Sequence, residues 1–160
     1  MDVLADTLFW WRFWTYWHIA GAFGFLAAHG ATAAVALRLR RERDTGRIRA
    51  LLDLSRSTRS WMYVSLFVLI VAGVANGFVM HYWGDGWIWA AIGLLLFLLV
   101  IAFPLAVPYY VRIRRVVDGR LEMDATGLEE LLLAPRPIVI AVVETAGILA
   151  ILWLMVFKPF

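Results

Sequence analysis

The chain has 160 residues, of which 63% are hydrophobic, and it carries a net charge of +3 with no cysteine. A soluble domain of this size could not cover so much apolar surface, so this composition and the mean hydropathy of +0.79 favour an integral membrane protein. The lack of cysteine excludes disulfides, thiolate metal sites and haem attached through Cys-x-x-Cys-His, and no nucleophile constellation or phosphate-binding loop indicates a hydrolase or transferase.

The first charge-free run, residues 13–37, is long enough to cross a bilayer, which takes about 20 helical residues. The preceding segment has the acids Asp2 and Asp6 and no basic region, so we expect no signal peptide and a retained first span. His18 and His29 are eleven residues apart and therefore share one helix face. Small residues lie on the same face, which predicts that it looks into a helix bundle.

The second part of the chain is predicted to be a cytoplasmic loop, 38–59, followed by a span over about 60–82. The loop is rich in arginine, and its residues 46–54 have the pattern of an interfacial helix. In the span, Ser65 and Asn76 repeat the eleven-residue spacing. We therefore expect a second polar face that can pack against the first.

The third span is predicted over about 87–110 and the fourth over 137–157, with a second basic cytoplasmic loop, 111–136, between them. The third span lacks polar side chains in its middle, so we expect it to be the most exposed to lipid. Its end carries Tyr109 and Tyr110, which are typical interfacial anchors. In the second loop, the spacing of Thr126 and Glu129 matches a helix capping box.

The fourth span contains one charge, Glu144. A charged side chain at bilayer depth costs about 3 kcal/mol on insertion scales, so Glu144 is expected to be protonated or paired and to mark a functional site. Counting from the middle of each span at about 1.5 Å per residue puts Glu144 and His29 both about 5 Å to the cytoplasmic side of the centre. We predict that they pair, with Ser65 as a further polar residue, and that Glu144→Gln removes any proton-linked activity.

A second hypothesis places a b-type haem near the outer side, because two imidazoles that oppose each other can hold the iron. His18 and His81 are the best available pair, and Asn76 lies at a similar depth to His18. The alternatives are an interfacial role for His81 and structural hydrogen bonding by His18. Three histidines spread along the membrane normal cannot converge on one ion, so no metal site is predicted.

The orientation follows from the arginines, because basic residues of short loops stay in the cytoplasm. Both basic loops are therefore placed inside, and both termini and the turn 83–87 outside. Most tryptophans then lie at the outer interface, as anchors or as walls for a planar ligand. We interpret the positive charge as a topology signal and expect no nucleic-acid partner. Arginine greatly outnumbers lysine, which is typical of a bacterial protein and indicates a plasma-membrane location.

A family resemblance rests on Trp17–Gly21, His29–Gly30, Ala33–Ala34 and the basic run Arg38–Arg43. These segments resemble a family of uncharacterised bacterial four-span predicted integral membrane proteins. They are more distantly similar to the membrane part of copper-resistance D proteins and to protoporphyrinogen oxidases of the HemJ type. The wider similarity implies a four-helix bundle with haem or copper handling, in which His18 is the residue that carries over.

The predicted architecture is thus an all-α integral membrane protein, a single domain that forms a four-transmembrane-helix up-and-down bundle. Three functions remain open. The chain is an accessory or structural membrane subunit with an intramembrane His/Glu polar site, a haem-binding redox protein, or a proton- or ion-coupled protein. A thin four-helix interior favours a homo-oligomer or a larger membrane complex. The sequence leans away from an enzyme.

Overall fold

The computed structural model describes residues 3–160, and the side chains of 4–101 and 104–160. Asp2, one of the acids that argued against a signal peptide, lies outside the described residues. The described part is helical and has no strand. Five α-helices and one 3-10 turn follow each other in the order α1 Val3–Leu39, α2 Thr45–Val79, the turn Tyr82–Gly84, α3 Gly86–Val117, α4 Ala125–Leu133 and α5 Arg136–Phe157.

Four of the helical segments are long and apolar enough to cross a membrane. The prediction of an all-α four-span membrane bundle is therefore confirmed. The first three helices are longer than a bilayer requires. α1 has 37 residues and a length of about 55 Å, against about 30 Å of hydrocarbon. The helices therefore project beyond the apolar runs from which the spans were predicted.

The segment 38–59, which was predicted as a loop, is mostly helical. α2 begins at Thr45, and the Asp44 carboxylate caps it by accepting a hydrogen bond from the Arg47 amide at 2.8 Å. The predicted interfacial helix forms the first turns of this continuous helix. In the second connection, the N-cap of α4 is Asp124 rather than Thr126, because its carboxylate accepts from the Gly127 amide at 2.8 Å.

α1 and α2 form a tightly packed antiparallel pair. A Cβ atom at Gly21 would lie only 2.7 Å from the backbone nitrogen of Leu69, so only glycine permits this approach. The expected contact between the two polar faces is confirmed by hydrogen bonds that link the helices. The Asn76 amide donates to the Thr15 hydroxyl at 3.2 Å, and His18 bonds to a carbonyl of α2.

α3 and α5 form the second pair, in which Gly147 lies against Leu98. The end of the chain returns to the start of α3, where the Phe160 carbonyl accepts from the Trp87 amide at 3.0 Å. The expectation that the third span is the most exposed to lipid is wrong. α3 buries eight residues among those described, whereas Pro137 is the one buried residue of α5. α5 packs against α3 and α1 but buries less of its surface than α3 does.

The best-buried hydrophobic cluster lies at the arginine-rich end of the bundle, where α1 to α4 meet. It consists of Val35, Leu39, Ile48, Leu52, Tyr109, Tyr110, Ile113, Val117 and Leu132. Tyr109 and Tyr110 are therefore core residues rather than interfacial anchors. Ion pairs that connect different helices or their connections surround this cluster, namely Arg43–Glu129, Arg49–Asp118 and Arg114–Asp53. Arginines that signal topology in the sequence thus also hold the helix ends together.

Candidate functional site

The two helix pairs meet at a histidine–glutamate contact. Nδ1 of His29 on α1 lies 3.4 Å from Oε2 of Glu144 on α5. His29 is 9% exposed and the Glu144 side chain is 24% exposed, so both side chains are largely buried inside the bundle. A buried carboxylate needs either a proton or a charged partner, and this contact supplies one of the two.

The hydrogen bonds around Thr145 determine which nitrogen of His29 carries a proton. The Thr145 hydroxyl donates its only hydrogen to the Ala141 carbonyl at 2.7 Å. At its other contact, with Nε2 of His29 at 3.3 Å, the same hydroxyl must accept, so Nε2 is protonated. Nδ1 then faces Glu144 with a lone pair or with a second proton. A hydrogen bond across the His29–Glu144 contact therefore needs a proton on either Nδ1 or the carboxyl group.

A cavity of about 140 Å³ lies beside this pair, between the α1/α2 pair and the α3/α5 pair. A smaller cavity of about 40 Å³ lies on the side toward Ala36 and Pro137. The residues that line both are His29, Thr32, Ala106, Tyr110 and Glu144. The histidine–glutamate pair thus borders two adjoining spaces and is in contact with both.

The register of α1 against α2 places the pair close to the arginine-rich end. Thr15 contacts Asn76 and Gly21 contacts Leu69, and continuing this antiparallel register brings Arg59 opposite Ala31. Arg59 is therefore only about 3 Å from the level of His29 along the bundle axis. The pair lies nearer the charged end than counting within each span predicted, since such counting ignores how neighbouring helices are offset.

The structure does not bring Ser65 into this group. Ser65 packs against Gly21 and Gly24 in the contact between α1 and α2, and it lines neither cavity. Its small side chain allows the two helices to approach. Its position on the face of α2 that meets α1 was predicted, but its membership of the polar site was not confirmed.

The residues proposed for haem do not meet. His18 donates from Nδ1 to the Leu69 carbonyl at 2.9 Å and contacts Gly73, whereas His81 is exposed at the end of α2. Gly73 lies six residues, about 9 Å of rise, before α2 ends at Val79, and His81 follows that end, so the two imidazoles do not oppose each other at one depth. The side-chain amide of Asn76 donates a hydrogen bond to the Thr15 hydroxyl. These residues do not fit a bis-histidine haem.

Copper or another metal ion also lacks a built site in the part of the chain that the structure describes. No group of three or more histidine, aspartate or glutamate side chains is close enough there to hold an ion.

Comparison with known families agrees with the fold. A model of the family described as predicted integral membrane protein (DUF2269) matches residues 13–159. The chain belongs to this family. No curated protein matches the chain, and no solved structure does. The matched range of this DUF2269 member includes His29, Glu144 and the whole lining of both cavities.

Several residues of the site in this DUF2269 chain were missed by reasoning from the sequence. Thr145 follows Glu144 directly, but its contact with His29 depends on how α5 is rotated against α1. Ser55 and Arg59 were assigned to a loop, and Tyr110 to the interface. The available signal was the spacing of four between Ser55 and Arg59, which would place them on one face if the segment were recognised as a helix.

Proposed function

We propose that this DUF2269 protein takes up and releases a proton at the His29–Glu144 pair, as a small multi-pass subunit of the bacterial plasma membrane. The observation that supports this is the contact of Nδ1 with Oε2 at 3.4 Å beside a cavity. Because Thr145 holds the proton on Nε2, the proton between the two groups can lie on either one. Addition of a further proton gives a neutral carboxyl group beside an imidazolium. Loss of that proton returns the pair to the state with one proton between Nδ1 and the carboxyl group.

The proposed exchange is with the cytoplasm. We infer that the arginine-rich end faces inward and that both termini and the turn 83–87 face outward, because arginines of short connections are retained inside. The hydroxyl-bearing residues Thr32 and Tyr110 line the cavities on this side of the pair. Water that enters these spaces would connect Glu144 to the cytoplasmic solution.

Passage of a proton from the pair to the outer side of the membrane would need a second protein surface. Outward from the pair, α1 and α2 pack directly through Gly21, Gly24 and Gly73, with no space between these helices for a larger side chain. We therefore propose a homo-oligomer or a larger membrane complex, in which a neighbour completes any path. In this arrangement the single chain contributes the proton-binding site and its connection to the cytoplasm.

The direct test is infrared difference spectroscopy of the full chain in lipid vesicles as the pH is changed. The carboxyl stretching band of a buried glutamic acid is expected in the wild type and absent after Glu144→Gln, which preserves size and shape. Glu130→Gln is the matched control, because Glu130 is exposed on α4. His29→Gln is expected to move the band to a different pH. A wild-type spectrum indistinguishable from that of Glu144→Gln would refute the proposal.

A second candidate function, an accessory or structural subunit, has its own support. His18 and Asn76 are used for hydrogen bonds between α1 and α2, so polar residues of this bundle also specify helix pairing. If Glu144 serves only this purpose, Glu144→Gln lowers stability and the wild type shows no carboxyl band that changes with pH. The wider similarity to copper-resistance D and HemJ-type proteins would add copper or haem handling. We do not propose it, since no second ligand lies opposite His18 among the residues that the structure describes.

A further inference from the structure

Ser55 is a buried hydroxyl without a partner. It is 1% exposed, it lines the larger cavity, and its Oγ has no hydrogen-bond partner in the described part of the chain. Other helical hydroxyls, on Thr32, Thr58 and Thr145, donate to the carbonyl four residues earlier. Ser55 does not, so its hydroxyl remains available to a molecule in the cavity.

Arg59 supplies a positive charge at the same end of the cavity. It lies one turn after Ser55 on the same face of α2, and helical side chains lean toward the start of the helix, which directs the guanidinium toward Ser55. None of the ion pairs formed among residues 3–160 includes Arg59. Tyr110 lines the same cavity. A guanidinium and two hydroxyls are thus grouped where an anionic oxygen can bind.

The lining also includes His29, Thr32, Tyr63 and Glu144. The rest of it is apolar and comes mainly from Met62, Leu95, Leu98 and Leu99. At about 30 Å³ per water-sized group, the 140 Å³ cavity accepts about five such groups. It can therefore hold the phosphate and a few neighbouring atoms of a larger molecule. The rest can leave between α2 and α3, which are less closely packed than the two helix pairs. A molecule that leaves there would meet the acyl chains of the bilayer.

We propose that this cavity binds an anionic phospholipid of the surrounding membrane, with its phosphate on Arg59 and Ser55 and its acyl chains leaving between α2 and α3. The register puts Arg59 near the cytoplasmic interface, which is the depth of lipid phosphates, and basic pockets between helices on that side suit such headgroups. Arg59 offsets the charge of the ligand. Glu144 lines the same cavity, but the inference does not require it to bind and release a proton, because the phosphate is assigned to Arg59 and Ser55.

The test is native mass spectrometry of the full chain in neutral detergent, titrated with dioleoyl phosphatidylglycerol, dioleoyl phosphatidylcholine or inorganic phosphate. We expect phosphatidylglycerol to bind more tightly than phosphatidylcholine. Arg59→Gln should weaken phosphatidylglycerol binding by at least about tenfold, the effect of losing a charge-assisted hydrogen bond. The control Arg56→Gln removes an exposed charge outside the cavity and should change binding by less than about twofold.

Ser55→Ala keeps the test decisive even if Arg59→Gln fails to fold. Removal of an unpartnered hydroxyl leaves the ligand-free protein at least as stable, whereas the lipid loses one of its hydrogen bonds and its affinity falls. Unchanged affinity of Ser55→Ala, equal losses in Arg59→Gln and Arg56→Gln, or equal binding of phosphatidylcholine would each overturn the proposal. Inorganic phosphate that binds as tightly as the lipid would overturn the assignment to a membrane ligand.

Discussion

Gly21→Ala should separate the effect of helix packing from that of helix propensity. A Cβ atom at position 21 would lie 2.7 Å from the backbone nitrogen of Leu69, 2.9 Å from its Cα and 3.0 Å from the Ser65 carbonyl oxygen. All three are backbone atoms, which no side-chain rotation can move away. The methyl group therefore has to push α1 and α2 apart along much of their contact.

The loss in the free energy of unfolding that we expect for Gly21→Ala follows from two opposed terms. Overpacking of a close contact costs about 1–3 kcal/mol, and alanine regains about 1 kcal/mol over glycine inside a helix. A rigid backbone neighbour favours the upper part of the first range, so the net loss should be about 1–2 kcal/mol. Gly30 on the same helix is the matched control, because a Cβ there meets nothing within 4 Å. Gly30→Ala should gain about 0.5–1 kcal/mol.

The assay is reversible unfolding of the purified chain in mixed micelles of a mild detergent and SDS, followed by circular dichroism and tryptophan fluorescence. The two variants should fall on opposite sides of the wild type and differ by about 1.5–3 kcal/mol in the free energy of unfolding. If Gly21→Ala is as stable as Gly30→Ala, then α1 and α2 do not approach as closely as described. The register and the depth of the histidine–glutamate pair would then also need revision.

Two further predictions concern single hydrogen bonds. Thr15→Val should lower the free energy of unfolding by about 0.6 kcal/mol, the mean for a bond between membrane helices, because Asn76 loses its partner. An equal loss in Thr58→Val, whose hydroxyl bonds only within α2, would argue against that assignment. Asp124→Ala should destabilise α4 by about 1 kcal/mol through loss of its N-cap, seen as faster amide hydrogen exchange across 125–133. Thr126→Ala should leave that exchange unchanged, and the opposite result would restore Thr126 as the cap.

Much of the fold could be predicted because lipid imposes a simple rule. A chain in hydrocarbon must satisfy every backbone hydrogen bond internally, so a long apolar run in this composition has to be helical. The eleven-residue spacings of His18 with His29 and of Ser65 with Asn76 then follow from helix geometry. That is why the contact between the polar faces of α1 and α2 was predicted correctly.

The connections were predicted less well, because a segment in water can be a loop or a helix, whereas a segment in lipid has to be helical. Arginines over 38–59 are compatible with a loop or with a solvated helix, and the structure continues α2 through most of them. Tyr109 and Tyr110 suit an interface by type. They are buried because α2 and α4 extend far enough to cover them, which no property of their own segment indicates.

By itself, the sequence determined the number of membrane helices, their antiparallel order and the nomination of Glu144, because these depend on local hydrophobicity and on the cost of burying charge. Only the tertiary structure decided that Thr145 sets the tautomer of His29, that His18 and His81 stay apart, and that Ser55 and Arg59 share a cavity. Those relations depend on the rotation and axial offset of one helix against another. Both are set by side-chain packing among distant segments, where Gly21 and Gly147 matter as much as any polar residue.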